Sequence, residues 1–283
     1  MSPLARTASN RNLAGRGHKA LAVFATAALA LGFSACSPSE NGTSPATMEP
    51  AVTSAMDKDE IIIGFDNTFV PMGFDEGGVT KGFDVDLATA AAEKLGKKFV
   101  FQNIDWNLKE TELNSGKIDA IWNGYSYSDE RAKKVAMTDP YMTNQQIIMV
   151  LADSPVKSKA DLAGKTVAVQ AGSTGADAVT KDADFQASLA GGQPAAYDTF
   201  DKALRDLEVG RADAVVGDSV LLNYYAKQKG LDKFTTLDEN FGEESFVVAV
   251  RSNDTKFKDA LNEFLQGAKS DGTIEKATNT WFK

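Results

Sequence analysis

The chain alternates short apolar runs with amphipathic helical segments from Glu60 onward, and the alternation restarts halfway along its length. In the first half, the strand-like runs are 60–65, 97–102, 118–122 and 145–151, and the helical segments are 84–95, 108–115 and 129–135. In the second half, the strand-like runs are 165–169, 212–217 and 245–250, and the helical segments are 175–181, 199–210, 219–229, 255–269 and 273–281. Strands that alternate with helices predict an α/β fold with mostly parallel sheets. Two successive units of this kind indicate two lobes.

The N-terminal segment has the pattern of a secretory signal. Residues 1–35 carry four basic side chains and no acidic one, and 20–33 form an uncharged, largely apolar run. That run is shorter than the roughly 20 residues that a membrane-spanning helix needs. It ends in Phe33-Ser34-Ala35-Cys36, which resembles the lipobox of bacterial lipoproteins. We therefore expect a signal peptide at 1–35, lipidation of Cys36 and anchoring on the extracytoplasmic side of the cell membrane; the alternative is a plain signal with an incidental cysteine.

Residues 36–59 differ in composition from everything that follows. They are rich in Ser, Thr, Pro and Ala and contain few large apolar side chains. A segment of this kind cannot bury enough apolar surface to offset the conformational entropy that folding costs. It is predicted to be a flexible tether between the lipid anchor and the folded part of the chain.

The histidine and cysteine content excludes several kinds of chemistry. His18 and Cys36 are the single residues of their types, so no intramolecular disulfide and no structural zinc site can form. Cleavage before Cys36 removes His18 and four of the 30 basic residues, which leaves 26 against 39 acidic ones. Catalysis by Ser-His-Asp or Cys-His and histidine-ligated metals are then excluded. The acidic balance argues against a nucleic-acid partner, and without a GxxxxGK[ST] motif no nucleotide, metal or other cofactor is expected.

Polar residues suited to ligand binding follow several of the strand-like runs. In open α/β sheets, ligands bind outside the carboxyl ends of the strands. The residues in such positions are Asp66, Phe69, Gly124, Ser126, Arg131, Gln170, Ser173, Thr174 and Asp218. An arginine and a helix start can bind a carboxylate, and an aspartate can bind an ammonium. Together these groups match an α-amino acid, although each loop alone is weak evidence: an arginine at a helix start is more often part of a surface ion pair, and a Gly-Ser-Thr turn is usually only a helix cap.

Four sequence blocks carry a more specific signal. They are GFDVDL at 82–87, the stretch from Gly116 to Tyr141, DLAGKTVAVQAGST at 161–174 and GRADAVVGD at 210–218. These blocks resemble the family 3 solute-binding proteins, the polar amino-acid-binding proteins of ABC importers. The resemblance implies a two-lobe periplasmic-binding-protein fold of type II that closes on its ligand. It places lobe 1 at 60–147 and 248–283, lobe 2 at 148–247, and the two hinge strands within Gln145–Leu151 and Ser245–Arg251.

The resemblance also implies how the common part of an amino acid is bound. Arg131 is expected to bind the α-carboxylate, together with Ser126 and the backbone amides of 173–174. Asp218 is expected to bind the α-ammonium with help from the carbonyl of Gly124. These roles do not depend on which amino acid is bound.

The side-chain pocket is expected to consist of Asp66, Phe69 and Trp106, with Gln170 at its edge. An acidic group in the pocket is compatible with lysine or arginine as the ligand. Gln170 and the aromatic residues are equally compatible with glutamine or cystine. The sequence therefore predicts a polar L-amino acid and leaves its identity open.

Three functions fit this scaffold. The first is a monomeric, membrane-tethered receptor that delivers a polar amino acid to an ABC permease. The second is an enzyme on the same scaffold, because cyclohexadienyl dehydratases resemble these proteins; carboxylates such as Asp66 or Glu112 would then transfer protons. The third is a sensory surface protein that uses the same closure. The pairing of Arg131 with Asp218 favours amino-acid binding, and we expect no enzymatic activity.

The anchor is tested by a Cys36→Ser variant. Because no other cysteine can carry the lipid, the variant should lose both palmitate labelling and cleavage to the mature form. Cells labelled with palmitate and analysed by electrophoresis provide the measurement. A variant that still runs as a labelled, mature protein would contradict the lipidation of Cys36.

Overall fold

The computed structural model describes residues 53–283; the predicted signal peptide, Cys36 and residues 36–52 of the predicted tether lie outside the described residues. The strands are β1 (Glu60–Phe65), β2 (Thr68–Phe69), β3 (Gly73–Glu76), β4 (Val79–Lys81), β5 (Lys98–Asn103), β6 (Ala120–Ile121), β7 (Ala136–Met137), β8 (Met142–Leu151), β9 (Val167–Gln170), β10 (Ala195–Tyr197), β11 (Ala214–Asp218), β12 (Phe234–Phe246) and β13 (Ala249–Val250). The α-helices are α1 (Phe83–Leu95), α2 (Lys109–Asn114), α3 (Asp129–Ala132), α4 (Thr174–Lys181), α5 (Ala183–Ser188), α6 (Phe200–Glu208), α7 (Ser219–Lys229), α8 (Thr255–Ser270) and α9 (Thr273–Trp281). Short 3-10 helices span Ala55–Asp57, Trp106–Leu108, Lys159–Leu162 and Ala190–Gly192.

Two five-stranded sheets define the two lobes, which confirms the predicted α/β architecture. The first has the order β5-β1-β6-β13-β7 and the second the order β10-β9-β11-β8-β12. In each sheet three neighbouring strands are parallel, as predicted. The strand next to this set is antiparallel to it, β13 in the first sheet and β8 in the second. The edge strands β7 and β12 are antiparallel to β13 and β8, so they run in the same direction as the parallel set. The sheets are thus mixed, because one connecting strand in each sheet runs against the parallel set.

An antiparallel ribbon connects the two sheets. β7 pairs with β13 in the first sheet, and β8 pairs with β12 in the second. Between these pairs, Thr138 N–H donates to the carbonyl of Val248 and Tyr141 N–H donates to that of Phe246, so the two segments stay hydrogen-bonded across the gap. The crossing therefore lies near 138–144 and 244–248. The first hinge segment is earlier than the predicted Gln145–Leu151, because Ile147 to Met149 already pair with β11 inside the second sheet.

The folded domain begins before Glu60. Ala55 is fully buried and begins a 3-10 helix within the segment that composition predicted to be tether. The carboxylate of Asp254 holds this start, since it accepts hydrogen bonds from Ser54 Oγ at 2.5 Å and from Ala55 N–H at 2.8 Å. The composition of 36–59 gave no sign of this because the partner is some 200 positions away in the chain. The tether prediction is thus wrong for 54–59.

Apolar packing on both faces of each sheet supports the loops that follow the strands. In the first lobe, the buried side chains of α1, among them Leu87 and Ala91, pack with Ile61 and Ile63 of β1. Helix α1 ends at Gly96, whose φ of 63° permits the left-handed cap that the sequence predicted there. In the second lobe, Val167 and Val169 of β9 belong to a separate buried cluster. Among the helices of residues 53–283, none is long and apolar enough to cross a membrane.

A buried ion network fastens three segments of the first lobe. Asp119, which is fully buried, accepts hydrogen bonds from Lys58 Nζ at 2.6 Å, Ile62 N–H at 3.0 Å and Arg251 Nη2 at 2.9 Å. Burial alone would raise the pKa of Asp119, but these hydrogen bonds outweigh it and lower that pKa. Ionised Asp119 therefore stabilises the folded state at pH values above the ordinary pKa of an aspartate. This stabilisation is lost as the pH falls through the lowered pKa of Asp119.

Arg251→Met tests the network. Removing one partner of a buried ion pair typically costs about 3–5 kcal/mol, because a charge is left uncompensated. Lys58 remains, so we expect a loss near the lower end of this range in urea unfolding at neutral pH. Lys98→Met is the matched control, because Lys98 pairs with Glu60 on the surface and such pairs contribute at most about 1 kcal/mol. Equal losses in the two variants would contradict a structural role for the network.

Candidate functional site

A small cavity, with only about 10 Å³ of free volume, lies between the two lobes. Its lining contains the predicted residues Phe69, Trp106, Gly124, Ser126, Arg131, Gln170, Ser173, Thr174 and Asp218. The tenth predicted residue, Asp66, is absent from this lining and contacts Gln170 instead. The structure therefore brings together in one place the loops that follow β1, β6, β9 and β11. A role of these residues in ligand binding stays a prediction.

Arg131 forms the cationic end of the cavity. Its side chain is almost fully buried, and its guanidinium lies 4.4 Å from the ring of Tyr125. Nη1 donates to the carbonyl of Ser126 at 2.9 Å and Nη2 donates to that of Gly172 at 3.1 Å. These two bonds use part of the five N–H donors of a guanidinium, so donors remain for an anion. The side chain is thus held in place by two carbonyls, an aromatic face and Glu110, whose Oε1 lies 3.8 Å from Nε.

The start of α4 lies at the same end of the cavity. Ser173 caps the helix by accepting a hydrogen bond from Ala176 N–H at 3.0 Å. The first amides of a helix have no acceptor within the helix, so those of Thr174 and Gly175 are available to an anionic group. Guanidinium and helix start together can bind a carboxylate from two sides.

Asp218 forms the anionic end. It is the last residue of β11 and is buried, at 4% exposure. Its Oδ1 accepts hydrogen bonds from Asn144 Nδ2 at 2.6 Å and Gln146 Nε2 at 3.0 Å. Burial and the nearby charge of Glu244 raise the pKa of Asp218 well above its ordinary value, while Arg131 opposes this shift. Sequence analysis missed Asn144, Gln146 and Glu244, which lie on the hinge ribbon and not in a loop after a parallel strand.

The opposite wall combines aromatic and amide groups. Phe69 packs against Phe200 of the second lobe, with ring centroids 5.9 Å apart. Gln170 Nε2 donates to Asp66 Oδ2 at 2.6 Å and to the carbonyl of Asp198 at 3.1 Å. Because both partners are acceptors, the amide nitrogen must face them. Burial raises the pKa of Asp66, although hydrogen bonds from Thr68 and Gln170 oppose this shift.

A second cation, missed by sequence analysis, lies beside Arg131. Lys109 is buried and donates from Nζ to the carbonyl of Gly172 at 2.8 Å. Burial and the charge of Arg131 lower the pKa of Lys109 to about 8, and Glu110 opposes this shift. Gly172 has a φ of 71°, and a Cβ there would come within 3.0 Å of the backbone of Asn107, so only glycine allows this approach. A lysine that begins a helix gives no sequence signal that distinguishes it from a solvated one.

Asp84 fixes the loop that contributes Gly124. Its Oδ2 accepts hydrogen bonds from Gly124 N–H at 2.7 Å and from the hydroxyl of Tyr141 at 2.9 Å. Burial raises the pKa of Asp84 to about 7, and these hydrogen bonds oppose the shift. Asp84 belongs to the GFDVDL block, so the sequence pointed to this residue without indicating its contact.

The contacts across the cleft show that the lobes are closed. Asp66, Lys109 and Arg131 of the first lobe bond to residues of the loop 170–172 in the second. Ser126 and Thr174, one from each lobe, are linked by a hydroxyl contact of 3.4 Å. Glu112, the other carboxylate considered for proton transfer, pairs weakly with Lys117 and does not line the cavity. Within residues 53–283, no group of three or more His, Cys, Asp or Glu side chains is arranged to hold a metal ion.

Comparison with known proteins gives a consistent result. The family model for the bacterial extracellular solute-binding proteins, family 3, matches residues 61–283. The arginine-binding extracellular protein ArtP of Bacillus subtilis (strain 168) is 29% identical over 270 residues, which are 93% of this chain and 98% of ArtP. An ABC uptake transporter substrate-binding protein from Streptococcus pneumoniae with bound histidine is 39% identical, with a TM-score of 0.78 over 81% of this chain and 94% of that one. An ancestral arginine-binding protein bound to arginine is 37% identical, with a TM-score of 0.74 over 80% and 99% of the two chains.

Proposed function

Since this chain belongs to the bacterial extracellular solute-binding proteins, family 3, we propose that it binds a polar L-amino acid between its lobes and delivers it to the permease of an ABC importer. The observation that carries the proposal is the presence of Arg131 and Asp218 in one enclosed cavity. Each is buried, and in residues 53–283 they form no salt bridge with one another. An α-amino acid supplies the carboxylate and the ammonium that these two groups lack.

The amide of Gln170 indicates the class of ligand side chain. Both of its N–H donors are used by Asp66 and by the carbonyl of Asp198. Gln170 lines the cavity, and its remaining polar atom, the acceptor Oε1, is available to a ligand there. We therefore infer a side chain that donates hydrogen bonds, as the guanidinium, imidazole and amide groups of arginine, histidine and glutamine do. The relatives bound to arginine and to histidine support this choice.

The chain is proposed to act as a lipid-anchored monomer outside the cytoplasm and without enzymatic activity. Cys36 and the composition of the segment after it support the anchor. The transport functions in the names of the relatives support a binding protein and not an enzyme. An enzyme would convert its ligand, so an amino acid recovered unchanged after incubation, as shown by mass spectrometry, would support binding alone.

Binding is tested by calorimetry with L-arginine, L-histidine and L-glutamine, after a thermal-shift screen of the amino acids. A ligand at 100 times its Kd should stabilise the protein by about 2.7 kcal/mol. Arg131→Lys should weaken binding of every ligand by roughly 1–3 kcal/mol, because the planar fork is lost although the charge remains. Arg205→Lys is the control, because Arg205 is an exposed arginine paired with Asp201. Unchanged affinity in Arg131→Lys would remove Arg131 from the site.

Ligand binding should also close the cleft. A ligand held by Arg131 in one lobe and Asp218 in the other binds the closed form better than the open one, and this difference shifts the equilibrium. The radius of gyration from X-ray scattering should therefore fall when ligand is added. Asp218→Asn should show little change at the same concentration, because losing one partner of a buried charge pair costs about 2–5 kcal/mol. A constant radius in the wild type, at a saturation confirmed by calorimetry, would indicate a rigid site.

A further inference from the structure

Two carboxylates meet where the hinge ribbon enters the second lobe. Asp218 comes from the end of β11 and Glu244 from β12. Asn144 Nδ2 donates to Asp218 Oδ1 at 2.6 Å and to Glu244 Oε1 at 2.7 Å. Gln146 Nε2 bridges the same two oxygens at 3.0 and 2.7 Å. Two amides of β8 thus hold the carboxylates side by side.

The groups that donate hydrogen bonds to this pair are neutral. Besides the two amides, Ser126 Oγ donates to Glu244 at 2.7 Å. Across residues 53–283, neither carboxylate is in a salt bridge. The nearby cations Arg131 and Lys109 both pair with Glu110 instead. Two like charges so close together, with little solvent and no paired cation, cannot both be ionised at low cost, and such pairs typically retain one proton. Consistent with this, burial, the charge of Glu244 and a hydrogen bond to Glu244 raise the pKa of Asp218 well above its ordinary value.

The two carboxylates differ in their access to solvent. Asp218 lines the closed cavity, whereas Glu244 is half-buried and lines a groove on the outer surface behind the ribbon. The titratable groups facing Glu244 across that groove are Tyr127, Asp177, Lys181, Asp182 and Glu243. The cation that acts on Asp218 from inside the cavity is Arg131. A proton held by the pair therefore has a route to water through Glu244 without opening of the cleft.

We propose that Asp218 and Glu244 share one proton before the ligand binds, and that the α-ammonium of the amino acid displaces it to solvent through Glu244. This inference rests on the proposed binding of an amino acid. The ammonium binds Asp218 from the cavity and replaces the proton as the positive charge on the pair, so the net charge of the pair with its bound cation is the same in both states. Glu244 then acts as a positioning residue that makes capture of the ligand dependent on pH.

The direction of the dependence follows from the proton balance. Where the free pair is protonated, binding must release a proton, so the Kd rises as the pH falls. If one proton is released, the change approaches about tenfold per pH unit. Asp66 also has a raised pKa and is a second candidate source of a released proton. It contacts Gln170 at the other wall of the cavity, so a variant of Glu244 distinguishes release by the Asp218–Glu244 pair from release by Asp66.

The test is calorimetry of wild-type protein between about pH 5 and pH 7, in pairs of buffers with different ionisation enthalpies. The ligand used is whichever of L-glutamine and L-arginine binds more tightly, because neither side chain titrates in this pH range. We expect the release of about one proton per ligand in wild type. Glu244→Gln should still bind, with markedly less proton release and a flatter dependence of Kd on pH. Glu243→Gln, an exposed neighbour with the same charge change, should behave like wild type.

Each outcome decides the inference. Binding without a buffer-dependent enthalpy in wild type would overturn it, even if the variant fails to fold. Undiminished proton release in a folded Glu244→Gln variant would assign the proton to another group, such as Asp66, and would also overturn it. Absence of binding by wild type to all amino acids would instead refute the proposed function on which the inference rests.

Discussion

The cleft of this molecule depends on the antiparallel ribbon that carries the chain between the two sheets. Because the two crossing segments are hydrogen-bonded to each other near 138–144 and 244–248, any movement of one lobe relative to the other must bend both segments together. The ribbon also carries Asn144, Gln146 and Glu244, which bond to Asp218 and Ser126 at the cavity. The geometry of the crossing and that of the Asp218 end of the cavity are therefore set by the same short stretch of backbone.

The two charged ends of the cavity are held by separate sets of groups. Carbonyls and an aromatic ring hold Arg131, and side-chain amides hold Asp218. If the two residues paired directly, the site would satisfy itself and a ligand would first have to break that pair. These supports hold Arg131 and Asp218 without pairing them with one another, although Glu110 lies 3.8 Å from Arg131 Nε. For the proposed zwitterionic ligand, exclusion of water on closure would strengthen both interactions.

The main features of the fold and site could be predicted because they follow from local patterns. Arg131, Gln170 and Asp218 come shortly after apolar strand runs, and the carboxyl ends of parallel strands meet at one edge. The antiparallel strands could not be predicted, since an apolar run carries no information on strand direction. Lys109 and Glu244 were missed for a different reason. Their partners are 63 and 100 positions away in the chain, and such contacts leave no periodic trace in the sequence.

The proposed selection of the ligand side chain rests on a hydrogen bond that joins the two lobes. Asp66 belongs to the first lobe and Gln170 to the second, so the hydrogen bond of 2.6 Å between them exists only when the cleft is shut. That bond, together with the carbonyl of Asp198, fixes the Gln170 amide with its nitrogen turned to the protein. A ligand side chain without a donor would then leave a buried acceptor unpaired, and sites of this kind reject such analogues strongly. An open form would keep the bond from Gln170 to the carbonyl of Asp198 but lose the bond to Asp66, so the amide would be held by one partner in place of two. Under the proposed function, discrimination between ligand side chains would therefore sharpen during closure and be weaker at first contact.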